Sequence, residues 1–372
     1  MSQAQHATLE GTAAYRDRFK GQVDDAHFRL AEGLWMSSIG IGTYLGDPDE
    51  RTDANYRVAV TRALELGCNV IDSAANYRFQ RSERNIGDAL TTIFAEGKLS
   101  RDEIVITTKG GYIPFNNSMP ITQREFYEYI EETFLKPGVC KLEDFVQGSH
   151  CMTPGYLKHQ LNQSLANLKL DYVDVYYIHN PESQFAEVAR EDFYKRLRDS
   201  FEFLESAVAD GKIQMYGTAT WNGYRVRQQS PEYLSLEKVV ETAREVAGDK
   251  HHFKVVQLPV NLAMTEAFKL ANQTIGDRTM TFLEAARELG IIVMASSSML
   301  QARLSAKLPS EISDHLRGLH SDAQRAIQFA RSTPNVTTAL VGMSRIQHVE
   351  ENLALAKFPP TPSDEFLKLF GE

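Results

Sequence analysis

The sequence predicts an α/β fold, a closed (β/α)8 TIM barrel with a long insertion after the third strand. Eight short runs rich in Val and Ile alternate with longer amphipathic segments, as parallel strands joined by helices do. The short runs are apolar on both faces, as expected for strands buried between helices and a filled interior. A length of 372 residues suits one such barrel.

An open doubly wound sheet would produce the same alternation of strands and helices. Its dinucleotide-binding form needs the pattern G-x-G-x-x-G after the first strand. The nearest segment contains Gly40 and Gly42, but Leu45 stands where the third glycine is required. The barrel is therefore the favoured architecture.

The eight predicted strands all have the length of barrel strands. In chain order they cover residues 36–46, 69–74, 103–111, 173–179, 213–219, 253–260, 291–297 and 337–343. Helical periodicity marks the segments between them, at 54–67, 82–94, 154–168, 193–211, 236–248, 281–290 and 322–332. Thr153 and Pro154 supply an N-cap and a first-turn residue for the helix at 154–168.

The chain is expected to form a single barrel domain over residues 1–372. Its core runs from about 30 to 357, followed by a tail at 358–372. Residues 112–152 form an insertion far longer than an ordinary βα loop, and the segment FYEYIEETFL within it predicts a helix. This insertion and a second long loop at 299–319 both follow strand ends on the ligand-binding face of a barrel. Each is either a lid or a surface elaboration.

Composition excludes several classes of protein. With 42% hydrophobic and 24% charged residues, the chain has the makeup of a folded globular protein rather than a disordered one. A net charge of −9 without a dense Lys/Arg run argues against a nucleic-acid partner. The apolar runs are too short to cross a membrane. The oligomeric state stays open.

The termini and cysteines favour the cytoplasm. The beginning, MSQAQHATLEG, is polar and lacks the apolar core of a signal peptide. Cys68, Cys140 and Cys151 form an odd, sparse set, as is usual in a reducing compartment. A Cys140–Cys151 disulfide is the less favoured alternative. The cysteine spacing does not match a zinc site, so no metal is expected.

Candidate catalytic residues stand at the carboxyl ends of neighbouring predicted strands, where barrels place their chemistry. They are Asp72, Lys109 and His179, with Tyr77 five residues after Asp72. A phenol with a pKa near 10 is a weak acid at neutral pH, and an adjacent ammonium group favours the phenolate. Each residue alone has an ordinary structural explanation, such as capping or packing. Together they suit proton delivery to a carbonyl oxygen as hydride reaches its carbon.

Three segments resemble the signatures of the aldo/keto reductase family: NVIDSAANY, VITTKGG and LDYVDVYYIHNP. The resemblance extends from about residue 40 to 357. It implies that Tyr77 is the general acid, that Lys109 lowers its pKa, that Asp72 pairs with Lys109 and that His179 orients the carbonyl. It also implies the barrel fold and NAD(P)H bound without a Rossmann motif. Schiff-base chemistry at Lys109 is disfavoured, because Asp72 would keep the amine charged.

The same resemblance implies a nicotinamide site in which some positions match the family pattern and others do not. Gln257 stands where the family binds the carboxamide, with Asn261 at a frequent asparagine position. Ala219 and Thr220 replace a Ser-Asn pair, so only the Thr220 hydroxyl remains to donate a hydrogen bond. Ser296 occupies the position where many members stack an aromatic ring on the nicotinamide.

Near the carboxyl end, LVGMSRIQHVEENLA resembles the segment of the family that binds the adenosine phosphate. The implied contacts are Gly342, Met343, Ser344, Arg345 and His348 at the 2′-phosphate, and Glu351 and Asn352 at the adenine. Because a guanidinium and a hydroxyl suit a phosphate, the expected cofactor is NADPH, with NADH possible.

The functional prediction is an NADPH-dependent oxidoreductase that reduces a small aldehyde or ketone, or oxidises the corresponding alcohol. The alternative is a nicotinamide-binding regulatory or sensor protein without significant turnover, because Ala219 and Ser296 depart from the family pattern. The side chains expected to line the substrate pocket are Tyr112, Phe115, Trp221 and Tyr224.

Overall fold

A computed structural model describes residues 6–310, 312, 316, 318–362 and 365–366. Its strands are β1 (Phe28–Ala31), β2 (Leu34–Ser37), β3 (Ile39–Gly42), β4 (Val70–Asp72), β5 (Val105–Gly110), β6 (Val173–His179), β7 (Ile213–Ala219), β8 (Phe253–Pro259), β9 (Ala271–Ile275), β10 (Arg278–Thr281), β11 (Ile292–Ser296) and β12 (Thr338–Gly342). Its helices are α1 (Leu9–Arg18), α2 (Glu50–Glu65), α3 (Arg81–Ala95), α4 (Gln123–Ile130), α5 (Pro154–Leu168), α6 (Arg190–Ala209), α7 (Leu236–Ala247), α8 (Glu266–Lys269), α9 (Phe282–Glu288), α10 (Asp322–Ser332) and α11 (Ile346–Leu353).

Eight parallel strands close into a barrel in the order β3-β4-β5-β6-β7-β8-β11-β12. The ring closes where β12 pairs with β3. The predicted (β/α)8 fold is confirmed, with all eight strands near their predicted positions. Because every barrel strand runs in the same direction, the side chains that follow their carboxyl ends gather at one mouth.

The barrel interior is filled by apolar side chains rather than left as a pore. Val70, Val105, Val175 and Val255 are buried in this inner cluster. Leu34 and Met36 of the β1–β2 hairpin join the same cluster. Because such a packed interior leaves no path through the barrel, ligands are confined to the carboxyl-terminal mouth.

The helix α5 begins at Pro154 and ends at Leu168, as predicted. Thr153 occupies the N-cap position, but its side chain makes no capping hydrogen bond. Its hydroxyl lies 3.4 Å from the Cys151 sulfur instead, so the expected capping role for Thr153 is wrong. The leucine face predicted for this helix is buried in the outer core.

The insertion at 112–152 has its own small core. The predicted helix is present as α4, continued by a π-helical turn at Glu131–Leu135. Phe134 is fully buried and packs against Phe145 and Tyr156 of α5. Cys140 and Cys151 are free thiols in this region. The segment is thus packed onto the barrel by a continuous aromatic cluster.

Sequence periodicity missed the helices α1, α8 and α11 and the hairpins β1–β2 and β9–β10. Within the ranges given above, no helix combines the length and apolar character needed to span a membrane. The amino-terminal residues 1–5, much of the predicted tail at 358–372 and five positions of the loop at 299–319 lie outside the described residues.

Candidate active site

The ends of β4 and β5 bring Asp72 and Lys109 together. Lys109 Nζ donates hydrogen bonds to Asp72 Oδ2 and to the Ser73 carbonyl oxygen, both at 2.7 Å. Thr107 Oγ1 donates to the other carboxylate oxygen at 2.7 Å. Thr107 was not singled out from the sequence, although its place two residues before Lys109 puts it on the same face of the strand. This ammonium–carboxylate pair is buried. The Ser73 carbonyl holds the ammonium group and the Thr107 hydroxyl holds the carboxylate.

Tyr77 lies over Lys109 in the turn that follows β4. The ammonium nitrogen is 4.8 Å from the centre of the phenol ring. Residues 78–80 all have left-handed backbone torsions, which turns the chain sharply into α3. Asp53 holds this turn by accepting hydrogen bonds from Arg78 and Arg81. No sequence pattern pointed to this support.

His179 ends β6 and completes the cluster. Its ring lies 5.8 Å from that of Tyr77 and 5.2 Å from that of Tyr112, in edge-to-face arrangements. Its Nδ1 is buried without a hydrogen-bond partner. The four residues singled out from separate strand ends therefore occupy one small volume.

Burial and charge set the protonation states of this cluster. Burial opposes the charge of Lys109, but Asp72 and Tyr77 together raise its pKa above the usual value. Burial lowers the pKa of His179 well below its usual value, with a further contribution from Lys109, so the imidazole is neutral. Burial raises the pKa of Tyr77, and the charge of Lys109 offsets only part of that rise. Lys109 thus acts to lower the pKa of Tyr77, as predicted, but burial outweighs this effect and the net shift is upward.

A single cavity of about 780 Å³ opens at the mouth of the barrel. Asp72, Tyr77 and His179 line one part of it. The eight side chains or backbone positions implied for the cofactor also line it: Thr220, Gln257, Ser296, Gly342, Ser344, Arg345, Glu351 and Asn352. These residues come from the end of β7, from β8, β11 and β12, and from the turn and the helix α11 that follow β12.

Besides His179 Nδ1, two further cavity-lining groups have buried polar atoms without a partner. These are the Thr220 hydroxyl oxygen and the side-chain oxygen of Asn352. Buried polar atoms are nearly always hydrogen-bonded in folded proteins, so unpaired ones beside a cavity indicate a ligand that supplies the partner. One lies near the nicotinamide position implied by the sequence and the other near the adenine position.

Gln257, Asn261 and Met343 differ from their expected roles. Gln257 lines the cavity, but its Nε2 donates to Asp72 Oδ1 at 2.8 Å. Asn261 Nδ2 donates to the Ser297 carbonyl oxygen at 3.0 Å, which makes it a support for the loop after β11. Met343 is fully buried in the outer core and does not line the cavity.

The pocket next to the cluster of Asp72, Tyr77 and His179 has only some of the predicted lining residues. Tyr112 and Trp221 line it. Phe115 instead packs against Phe126 within the insertion, and Tyr224 stacks on Phe282, so these two predictions are wrong. The cavity wall also includes four residues that the sequence did not single out: Tyr44, Asn76, Asn180 and Met299.

At the far end of the cavity, Ser344 and Arg345 immediately precede the helix α11. The amino terminus of a helix presents free N–H groups and a partial positive charge. Together with the Arg345 guanidinium, this end of the cavity suits a phosphate group. In the part of the chain that the structure describes, no cluster of His, Cys, Asp or Glu side chains is arranged to hold a metal ion.

A family model described as "Aldo/keto reductase family" matches residues 38–369. Among curated proteins, the chain is 26% identical over 200 residues to the NADH-specific methylglyoxal reductase of Escherichia coli, which is 52% of each protein. The chain thus spans about half the length of that relative. It is 24% identical over 356 residues to the L-glyceraldehyde 3-phosphate reductase of the same organism, covering 86% of this chain and 84% of the relative.

A solved structure has the same fold. It is an aldo/keto reductase from Klebsiella pneumoniae in complex with NADP and acetate, with a TM-score of 0.61 and 20% sequence identity. The superposition covers 93% of this chain and 94% of the other.

Proposed function

Because this chain belongs to the aldo/keto reductase family, we propose that it is an NADPH-dependent oxidoreductase that reduces an aldehyde or ketone. One observation carries the proposal. Asp72, Tyr77 and His179 line one part of a cavity. Arg345 lines the other end of the same cavity, where a phosphate group fits. A volume of about 780 Å³ lies within the range of cofactor sites in general.

The residues present fit a nicotinamide dinucleotide. The unpaired Thr220 hydroxyl and Asn352 oxygen offer hydrogen bonds at the two ends of the cavity. Arg345 and the start of α11 offer charge to a phosphate. When bound, the dinucleotide supplies a hydride to the carbonyl carbon. NADPH is favoured over NADH because Arg345 suits a 2′-phosphate, although one relative is named as NADH-specific.

Tyr77 is the proposed proton donor. Its raised pKa keeps it a neutral phenol at pH 7, with a proton available for the carbonyl oxygen. The adjacent Lys109 ammonium stabilises the phenolate that remains after the transfer, and Asp72 keeps that ammonium in place. The neutral His179 donates a hydrogen bond to the oxygen as negative charge develops there.

Two alternatives are weaker. Schiff-base formation needs a neutral lysine, whereas Lys109 is held charged by Asp72 and is bonded to the Ser73 carbonyl. A sensor that binds a nicotinamide without turnover is favoured by Ala219 and Ser296, which weaken the usual nicotinamide contacts. The complete cluster around Tyr77 argues for catalysis, because a sensor has no need of a proton donor.

A steady-state assay tests the proposal. Purified protein is mixed with NADPH or NADH and a panel of aldehydes, aldoses and ketones, and loss of the reduced cofactor is followed by absorbance. We expect turnover with at least one carbonyl compound and a higher kcat/KM with NADPH. NADPH binding without turnover across the panel contradicts the reductase proposal and favours the sensor.

A further inference from the structure

Besides Tyr112 at its first position, the insertion contacts the candidate active site through His150. Its Nε2 lies 2.7 Å from the main-chain carbonyl oxygen of His179, and its ring lies 5.0 Å from that of Tyr112. His150 is 1% exposed. Its backbone pairs with Val146, and the next residue, Cys151, donates from its amide to the Gly111 carbonyl at 2.9 Å. This end of the insertion is therefore fixed beside β5 and β6.

The protonation state of His150 follows from its neighbours. Arg196 Nη1 donates to Gln184 Oε1 at 2.7 Å, which assigns the amide oxygen of Gln184 to the arginine. Gln184 Nε2 then faces His150 Nδ1 at 2.8 Å and can only donate, so Nδ1 must accept. The single ring proton of His150 is thus on Nε2 and points at the carbonyl oxygen of His179. Arg196 of α6 sets this tautomer from outside the site.

Gly111 provides the space for this contact. A Cβ atom at this position would lie 2.8 Å from His150 Nε2 and 2.9 Å from the His179 carbonyl oxygen. The Gly111 φ of 148° is also a torsion that other residues rarely adopt. A side chain here would therefore separate the two histidines.

We propose that His150 is a positioning residue for the reaction described above: its hydrogen bond fixes the main chain of His179 and the following Asn180 at the cavity wall. The proposal rests on the proposed function. Asn180 has a left-handed φ of 44°, and its side-chain Nδ2 donates to Tyr112 Oη at 3.3 Å. The His150 bond therefore holds a strained turn that carries both His179 and Asn180. Because the donor comes from the insertion, the insertion is part of the active-site structure in this chain.

Three variants test the role of the hydrogen bond. His150→Leu keeps an apolar side chain of moderate size but removes the donor, whereas His150→Gln places an amide near the position of Nε2. His159→Leu is the matched control, because His159 lies on α5 and packs against Phe134 of the same insertion. For each variant, kcat and KM for one aldehyde and the Kd for NADPH are measured.

We expect His150→Leu to lower kcat by about 30-fold, within the roughly 100-fold loss that a misplaced catalytic group can cause. Its Kd for NADPH should change less than about twofold, because the cofactor contacts come from other strands. His150→Gln should recover kcat to within about threefold of the wild type, since it restores a donor. A kcat for His150→Leu equal to that of His159→Leu, or no recovery in His150→Gln, overturns the proposal.

A second measurement is independent of turnover. In protein labelled with ¹⁵N in the histidine rings, NMR should show an Nε2–H ring, in addition to that of His27, that does not titrate between pH 5.5 and 8 and that is lost in His150→Gln. The ring signals of His179 should shift in His150→Leu but not in His159→Leu. Unchanged His179 signals overturn the positioning role, whereas an inactive wild-type protein with these signals contradicts only the proposed function.

Discussion

Gln257 Nε2 donates a hydrogen bond to Asp72 Oδ1 across 2.8 Å and links two strands on opposite sides of the barrel. The same carboxylate accepts from Lys109 and Thr107. A side chain implied for cofactor binding is thus part of the support for the Lys109 ammonium. Gln257 therefore connects the proposed cofactor site to the cluster that holds the proposed proton donor.

Replacing Gln257 with leucine should affect stability as well as binding. Asp72 would lose one donor, and hydrogen bonds to a charged group are worth about 1.5–3 kcal/mol. We expect the free energy of unfolding without cofactor to fall by about 2 kcal/mol and the Kd for NADPH to rise about tenfold, equivalent to about 1.4 kcal/mol. Urea denaturation and fluorescence titration measure the two effects. Gln214→Leu on β7, which lies outside this cavity, is the control. A change in neither quantity contradicts the link.

Replacing Tyr77 with phenylalanine removes the proposed proton donor and little else. Because general acids contribute about 100- to 10,000-fold, we expect kcat to fall at least about 100-fold. The Kd for NADPH should stay within about twofold, since the ring remains. Tyr127→Phe, on the exposed face of α4, is a matched control. Full activity in Tyr77→Phe would exclude Tyr77 as the donor.

Replacing Lys109 with methionine leaves the Asp72 carboxylate buried without its cation. Breaking one half of a buried ion pair costs about 3–5 kcal/mol, so the free energy of unfolding should fall by about that amount. Turnover should be lost as well. In the double variant with Asp72→Asn, part of the stability should return, because no unpaired charge remains. Additive losses in a double-mutant cycle would show that the two residues do not interact.

Replacing Arg345 with alanine should weaken the binding of NADPH but not that of NADH. A charge-assisted hydrogen bond of about 1.5–3 kcal/mol predicts a rise of about 10- to 100-fold in the Kd for NADPH. The Kd for NADH, which lacks the 2′-phosphate, should change less than about twofold. The Kd of Arg345→Lys for NADPH should lie between those of the wild type and Arg345→Ala, because lysine keeps the charge but cannot form a bidentate hydrogen bond. Equal losses for both cofactors would place Arg345 elsewhere on the dinucleotide.

Stability should decrease in mild acid because of two buried histidines. Burial lowers the pKa of His27 and of His150 to about 4. In the unfolded chain both have a pKa near 6.5, so the unfolded state binds more protons between pH 4 and 6.5. The stability that these two neutral histidines contribute is therefore fully present above pH 6.5 and is lost as the pH falls towards 4.

At pH 5 each of these histidines should lower the free energy of unfolding by about 2 kcal/mol relative to pH 7.5. Urea denaturation at the two pH values measures the difference. His27→Gln keeps a side-chain donor for the Gly67 carbonyl and cannot titrate, so its loss of stability should be smaller by about 2 kcal/mol. An unchanged pH dependence in that variant would show that His27 is not the source.

Local sequence patterns predicted the barrel, because strand and helix periodicities are properties of short segments. Neighbouring strand ends also predicted that Asp72, Lys109 and His179 converge, since parallel strands present their carboxyl ends at one mouth. The hairpin β1–β2 was not predicted from these patterns. Its short strands merge with the first barrel strand into one apolar run in the sequence.

By itself the sequence determined the fold and the identity of the candidate chemical groups, because those depend on residue type and on spacing within a segment. Only the tertiary structure decided that Gln257 binds Asp72, that His150 reaches His179, and that burial outweighs the lysine at Tyr77. Such contacts join residues as far as 185 positions apart. They depend on how the barrel closes and on how deeply each group is buried, and neither property is written in any local pattern.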